Sequence, residues 1–236
     1  MKLSEIARLI GASEKKIPTI EINWLLTDSR SLSFPTESLF FAIRTLRNNG
    51  HNYILELYQQ NLRYFVVSEM QPEYENLPEA VFLVVKDTLQ ALQTLAAAHR
   101  SSFHIPVIGI TGSNGKTVVK EWLYQLLHTD YRITRSPRSY NSQIGVPLSV
   151  WAMNENTQLG IFEAGISEMH EMEHLQPIIQ PTIGIFTNLG EAHQENFTGL
   201  KQKCEEKLQL FKDAEVLIYC SDSKLVEISI DRKSVV

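Results

Sequence analysis

The sequence predicts an α/β fold in two parts. A small N-terminal α/β domain is expected over residues 1–103, followed by a P-loop-type parallel-sheet domain over 104–236 that is incomplete at its end. Three observations carry this. An apolar run, Ile105 to Ile110, stops at the small-residue loop Thr111-Gly112-Ser113-Asn114-Gly115-Lys116-Thr117, and apolar residues resume at helical spacing through Leu127. Beyond the loop, short apolar runs alternate with helical patterns, which implies a parallel sheet with right-handed crossovers in the second half. Finally, three runs in the second half end in residues able to do chemistry, and in parallel sheets ligands sit beyond the carboxyl ends of the strands.

In chain order, Met1 to Ile10 reads as a short amphipathic helix ending at Gly11, and Thr19 to Leu26 as a strand leading into the polar cluster Thr27-Asp28-Ser29-Arg30-Ser31. Ser38 to Ile43 is a second apolar strand, ending in the polar stretch 44–50. His51 to Tyr58 has helical spacing, and Arg63–Val67 and Ala80–Val85 read as short buried strands. Asp87 or Thr88 is placed to cap a helix from Leu89 to His99, with Ser101 to His104 as the joint between domains. Beyond the loop, Gly160 to Phe162 runs into Glu163, and Thr182 to Thr187 runs into Asn188-Leu189-Gly190-Glu191-Ala192-His193. A helix is expected over 199–211 and a strand over Val216–Cys220. The tail from Ile228 reads as one last strand and a frayed end.

Apolar residues make up 43% of the 236 and charged residues 21%, so a packed core is available. A net charge of −5 and a pI near 5.8 argue against nucleic acid as the main partner. Any phosphorylated ligand must then be met by local cationic pockets. Cys204 and Cys220 have no metal-binding or redox spacing and are expected to be reduced, buried thiols. No apolar run reaches the ~20 residues that span a bilayer, and the N-terminus lacks a signal-peptide pattern. A soluble, cytoplasmic monomer with no membrane insertion is expected.

The loop has a physical reading. Gly112 and Gly115 let the backbone curl so that amides point inward at an anion, and the following helix adds its free N-terminal amides and positive dipole end. Lys116 would reach the outer phosphates and the Thr117 hydroxyl a Mg²⁺ ion. The bland alternative is a glycine turn with a solvated lysine. The general Walker spacing would want glycine at 110, where Ile110 stands. Glu163, at a strand end, could bind a phosphate-bound cation or simply stand in solvent, and His193 could ligate a second ion, contact phosphate or be an ordinary hydrogen-bonded loop residue. His170 and His174 are favoured as a solvated helix face. Lys207 lies in a charged helix where Lys201 pairs with Glu205, and composition alone makes it solvated. Ser29 and Arg30 could serve a diphosphate, or simply form a polar turn.

Taken together, these segments resemble the Mur ligase family, ATP-dependent enzymes that form amide bonds in peptidoglycan assembly. The likeness runs from about Thr27 to Phe211. Thr111 to Thr117 resembles the family's ATP loop, assigning Thr111, Gly112, Ser113, Asn114, Gly115, Lys116 and Thr117 to nucleotide. Thr27–Arg30, Leu39–Ile43 and Asn49–Ile54 resemble the domain that holds the UDP-sugar end of the substrate, implying contacts from Ser29, Arg30 and His51. Asn141 with Ile144-Gly145-Val146-Pro147 resembles the loop of the branch that adds D-alanyl-D-alanine. The resemblance further implies Mg²⁺ held by Thr117 and Glu163, a second metal supported by His193, and carbamylation of Lys207 by CO₂, which turns an ammonium into an anionic ligand.

The implied reaction joins D-alanyl-D-alanine to UDP-N-acetylmuramoyl-tripeptide through an acyl phosphate, with Lys116, Lys207 and His193 as the catalytic set. Gln209 stands where the family commonly has Glu, and Arg44 to Arg47 varies a turn that usually contains glycine. The family's third, C-terminal ligase domain is absent, so this chain is expected to be a fragment, inactive alone. Another amino-acid ligase of the family, a generic P-loop ATPase or kinase, and a non-catalytic module binding UDP-sugar or nucleotide are the alternatives.

Overall fold

A computed structural model describes residues 1–12, 17–46, 48–190 and 196–231. The chain divides into two compact units, Met1–Ala98 and His99–Val236. Among the described residues, no helix is long and apolar enough to cross a membrane.

The first unit begins with α1 (Leu3–Leu9) and holds a fully parallel four-stranded sheet in the order β1-β2-β3-β4. Its strands are β1 (Trp24–Leu26), β2 (Ser38–Phe41), β3 (Tyr64–Val67) and β4 (Val81–Val84). Parallel sheets are covered on both faces and so read as continuous apolar runs. All four residues of β2 are buried. Leu26, Phe40, Phe65, Val67 and Phe82 pack on one face with Ile54 and Leu57 of α2 (Ile54–Gln59). By the period-two alternation, Leu39, Phe41, Val66 and Leu83, all buried, point to the other face.

β1 is shorter than its apolar run suggests. Residues 20–23 spend their main-chain groups elsewhere: Leu3 donates to Ile20 O at 2.9 Å, Ile22 donates to Met1 O at 2.8 Å, and Asn23 donates to Glu37 O at 2.9 Å. At α3 (Thr88–Ser101), Asp87 is the capping residue. Its Oδ1 accepts from the Leu89 and Gln90 amides at 2.8 and 3.0 Å, while Thr88 donates to Ala42 O.

The second unit is built on a parallel five-stranded sheet in the order β6-β7-β5-β8-β9. The strands are β5 (Val107–Thr111), β6 (Ile133–Arg135), β7 (Leu159–Glu163), β8 (Ile183–Phe186) and β9 (Val216–Tyr219). After β5 the chain builds to one side through β6 and β7, then crosses to the other through β8 and β9. That reversal places a crevice at the carboxyl end of β5. α4 (Lys116–Leu127) packs Val119, Leu123 and Leu127 onto Ile108, Ile110, Leu159 and Ile161. The remaining helices are α5 (Gly145–Trp151), α6 (Glu171–Ile179), α7 (Leu200–Leu208) and α8 (Lys224–Asp231).

Two expectations are corrected. The tail from Ile228 is not a strand, because Lys224–Asp231 is helical: Val226 and Ser229, three apart, are buried at 1% and 3% exposure, a helical spacing. Of the two thiols, only Cys204 is buried; Cys220 follows the edge strand β9 and is exposed.

Candidate functional site

β5 runs apolar and buried to Thr111, whose hydroxyl donates to Ala164 O at 2.8 Å. This ties the ends of β5 and β7 together. Gly112 then turns with φ +146°, and Gly115 precedes α4 in the left-handed region at φ +81°. At Gly112 a Cβ would lie 2.0 Å from Thr187 Oγ1 and 3.0 Å from the Asn188 main chain. The loop is therefore pressed against the end of β8 at a point where no side chain fits. Hydrogen bonds hold it there. The Ser113 amide donates to Asn188 O at 2.9 Å and the Asn114 amide to Asn188 Oδ1 at 2.9 Å. Thr187 donates to Asn114 O at 2.6 Å, and Ser113 Oγ exchanges hydrogen bonds with the main chain of Gly190. The first-turn amides of α4 have no partner within their own helix and face the crevice end.

Glu163 closes β7 in register with Ile110 and is wholly buried. Thr117 donates to its Oε2 at 3.0 Å. Its Oε1 lies 2.9 Å from the Lys120 ammonium but at an angle that makes no hydrogen bond. Lys116 donates to Gly112 O at 2.9 Å, and burial pushes its pKa down, opposed by the nearby Glu163. Lys207, 2% exposed, points at the same carbonyl from α7, 3.2 Å away. Burial first, then the charges of Lys116 and Lys203, push its pKa down to about 7. This overturns the solvated-face reading of Lys207, while the Lys201–Glu205 pair stands at 3.8 Å. Lys203, one turn earlier and 1% exposed, donates to Gly190 O at 2.6 Å.

A cavity of about 130 Å³ joins Gly112, Ser113 and Lys116 to Asn141, Gly165, Glu171 and Lys207. Asn141 thus reaches the phosphate loop, and its carbonyl accepts the Gly165 amide at 2.8 Å. His193 lies outside the described residues. His170 is exposed and pairs with Glu173 at 3.1 Å, whose carboxylate raises its pKa, as expected of a solvated helix face.

In the first unit, Ser29 and Arg30 form a short 3₁₀ turn capped by Asp28. Arg30 is nearly fully exposed, and its guanidinium forks onto the Asp28 carboxylate at 2.9 and 2.6 Å. That fork lowers the Asp28 pKa. His51 is buried at 3% exposure. The Ser68 amide donates to its Nε2 at 3.2 Å, so Nδ1 carries the proton and donates to Asn49 Oδ1 at 2.9 Å. Burial lowers its pKa. Its ring is spent on bracing the turn.

Among the described residues, no group of three or more His, Cys, Asp or Glu side chains is arranged to hold a metal ion. Magnesium needs less from a protein: one or two oxygen ligands, with water and phosphate completing the shell. Glu163, buried with a single hydrogen bond to its carboxylate, and the adjoining Thr117 hydroxyl fit that demand.

Sequence reasoning missed Lys120 and Lys203, both fully or almost fully buried. The signal was helical spacing: Lys120 is one turn from Lys116 and three residues before Leu123, on the inward stripe of α4. A larger groove of about 780 Å³ opens at the other end of this sheet, before β5, β8 and β9. Its Arg100 is spent on the carbonyls of Ile179, Phe103 and Gln180, far from the phosphate loop.

The sequence profile of the Mur ligase middle domain matches residues 110–235. The UDP-N-acetylmuramoyl-tripeptide–D-alanyl-D-alanine ligase of Bacillus subtilis (strain 168) is 34% identical over 210 residues, covering 87% of this chain and 45% of that protein. The ligase of the same name from Borreliella burgdorferi is 33% identical, covering 84% and 44%. The chain spans about half the length of the curated relatives it matches. In fold it resembles MurF from Acinetobacter baumannii, with a TM-score of 0.85 at 24% identity over 98% of this chain and 51% of that one. Thermotoga maritima MurF in complex with ADP superposes with a TM-score of 0.77 at 23% identity, over 89% and 48%. With its loop, strand ends and middle-domain profile in agreement, this chain belongs to the Mur ligase family.

Proposed function

We propose that this chain supplies the nucleotide-binding and UDP-substrate-holding parts of an ATP-dependent ligase that adds D-alanyl-D-alanine to UDP-N-acetylmuramoyl-tripeptide. The observation that carries the reading is the gathering of Lys116, Thr117 and Glu163 at the carboxyl ends of β5 and β7, beside a loop whose glycine admits no side chain. The names of the relatives support the choice of branch.

In this reading the terminal carboxylate of the tripeptide attacks the γ-phosphorus of ATP, and the bond to ADP breaks to leave an acyl phosphate. The amine of D-alanyl-D-alanine then attacks the acyl carbon; phosphate leaves and the amine gives up its proton. The chain's work is positioning and charge stabilisation. The amides of 115–117 and the Lys116 ammonium hold the phosphates, Lys116 leaving the Gly112 carbonyl to do so, while the Ser113 and Asn114 amides stay on Asn188. Thr117 and Glu163 would hold Mg²⁺, which would neutralise charge developing on the transferred phosphoryl group. His193 is assigned to a second metal from the resemblance alone. Lys207, with a pKa lowered to about 7, is in part a free amine at neutral pH. Its attack on CO₂, with loss of a proton, would form a carbamate able to serve a second metal as an anionic ligand. Asn141, on the cavity shared with Lys116 and Lys207, faces the reacting end of the substrate. Arg30 and Ser29 take the diphosphate of the UDP-sugar, Arg30 exchanging Asp28 for it, and His51 acts by holding the turn beside them. The ligase works as a cytoplasmic monomer on soluble substrates.

Calorimetric titration tests this reading. Mg·ADP binds the wild-type chain, and Lys116→Ala weakens it by a factor on the order of 100, the ~3 kcal/mol range of a charge-assisted contact. UDP-N-acetylmuramoyl-tripeptide binds more tightly than the corresponding dipeptide. Undiminished Mg·ADP binding by Lys116→Ala removes the nucleotide assignment; preference for the dipeptide moves the chain to another branch of the family.

A further inference from the structure

The charges behind Glu163 have no part in the mechanism above. Lys120 is fully buried on the inward stripe of α4. An ammonium in such a place is costly unless paired and hydrogen-bonded, and this one is surrounded. Its Nζ donates to Ser136 O at 2.8 Å and to Arg138 O, and lies 2.9 Å from Glu163 Oε1 and 3.3 Å from Glu121 Oε1. Glu121 in turn pairs with Arg135, whose guanidinium lies over the Tyr124 ring at 3.9 Å. A polar chain therefore runs from the partly exposed Arg135 to the carboxylate at the tip of β7. Packed apolar side chains in place of both members of a buried ion pair are often no less stable, so the use of the Lys120–Glu163 pair lies in what it holds in place.

We propose that Lys120 is a positioning residue of the nucleotide site and acts through Glu163. It draws Oε1 back into the protein and leaves Oε2, beside the Thr117 hydroxyl, as the oxygen offered to a divalent cation. Partners of this kind orient metal ligands without touching the metal, and their loss weakens metal binding by about 10–100-fold. This rests on the nucleotide reading above and adds a residue to it.

The test is calorimetric titration of the 236-residue chain with Mg·ADP, and with ADP in the presence of a chelator. The proteins are wild type, Lys120→Met, Glu163→Gln and the double variant. Lys120→Met is expected to weaken Mg·ADP by about 10–100-fold and to leave metal-free ADP within about twofold, the scatter of independent sites. The double variant is expected to match Glu163→Gln within the same factor, since the carboxylate to be oriented is gone. It loses both charges together and so folds even where Lys120→Met, with an unpaired buried carboxylate, does not.

Unchanged Mg·ADP affinity in folded Lys120→Met overturns the proposal. So does equal weakening with and without metal, the mark of a merely structural role, or a double variant clearly weaker than Glu163→Gln. Failure of the wild-type chain to bind Mg·ADP would sink the nucleotide reading and this proposal with it; the other outcomes overturn Lys120 alone.

Discussion

Three lysines meet near Gly112, and water scarcely reaches two of them. Lys203 and Lys207 are 1% and 2% exposed, and both have their pKa values lowered first by burial. Lys207 falls to about 7 from an ordinary 10.5. The unfolded chain binds this proton across that interval and the folded chain does not, so the group makes folding more favourable as pH rises from about 7 toward 10.5. The same shift governs its chemistry, because only the neutral amine attacks CO₂. With ¹³C-labelled bicarbonate, NMR should show a carbamate carbon whose intensity grows as pH rises through about 7 and which vanishes in Lys207→Met. No signal, or one appearing only where ordinary lysines lose their protons, would return Lys207 to a plain buried amine. None of this is legible from the charged run around it. Local composition reports the solvent-facing side of α7 and is silent on which lysine the tertiary packing turns inward. Lys120 was hidden for the same reason. Glu163 was visible because the end of a buried strand leaves a carboxylate little choice of place.

At the scale of elements, the β5–loop–α4 unit was readable because its signals are local: β-branched residues, small loop residues, then apolar residues three and four apart. Its loop is also the place where a single methyl group matters most. Gly112→Ala would drive a Cβ into Thr187 and Asn188 from a backbone conformation that L-residues rarely adopt. The expected cost is on the order of 1–3 kcal/mol, read as a melting temperature several degrees lower together with weakened Mg·ADP binding. Gly199→Ala, with open space around the position, is expected to change stability by less than about 1 kcal/mol. Equal melting temperatures for the two variants would contradict the close approach of loop and β8. The elements misread at the chain's two ends share a cause. Residues 20–23 and 228–230 each place two isoleucines in strand-like alternation, Ile20 with Ile22 and Ile228 with Ile230, yet non-local partners decide them: the first three residues for one, and the packing of α8 against α7 for the other. Propensity is a weak prior where such contacts compete.

Across the whole molecule, alternation of strand and helix foretold a parallel sheet in the second half, and the sheet of the first unit is parallel as well. Strand order was not foretold, since it is set by which faces meet. It is nonetheless the feature that makes the site. With β5 in the middle of β6-β7-β5-β8-β9, the strand leading into Lys116 and Thr117 lies between the strand that ends in Glu163 and the one that runs on to Asn188. The central claim is that these strand tips surround one divalent cation and one nucleotide. Crystals of the chain grown with ADP and Mn²⁺ in place of Mg²⁺ would locate the metal by anomalous scattering. The account predicts a peak at bonding distance from Thr117 Oγ1, with Glu163 beside it and the ADP phosphates over the amides of 115–117. A metal and nucleotide at the opposite end of the sheet, in the groove before β5 and β8, would contradict it.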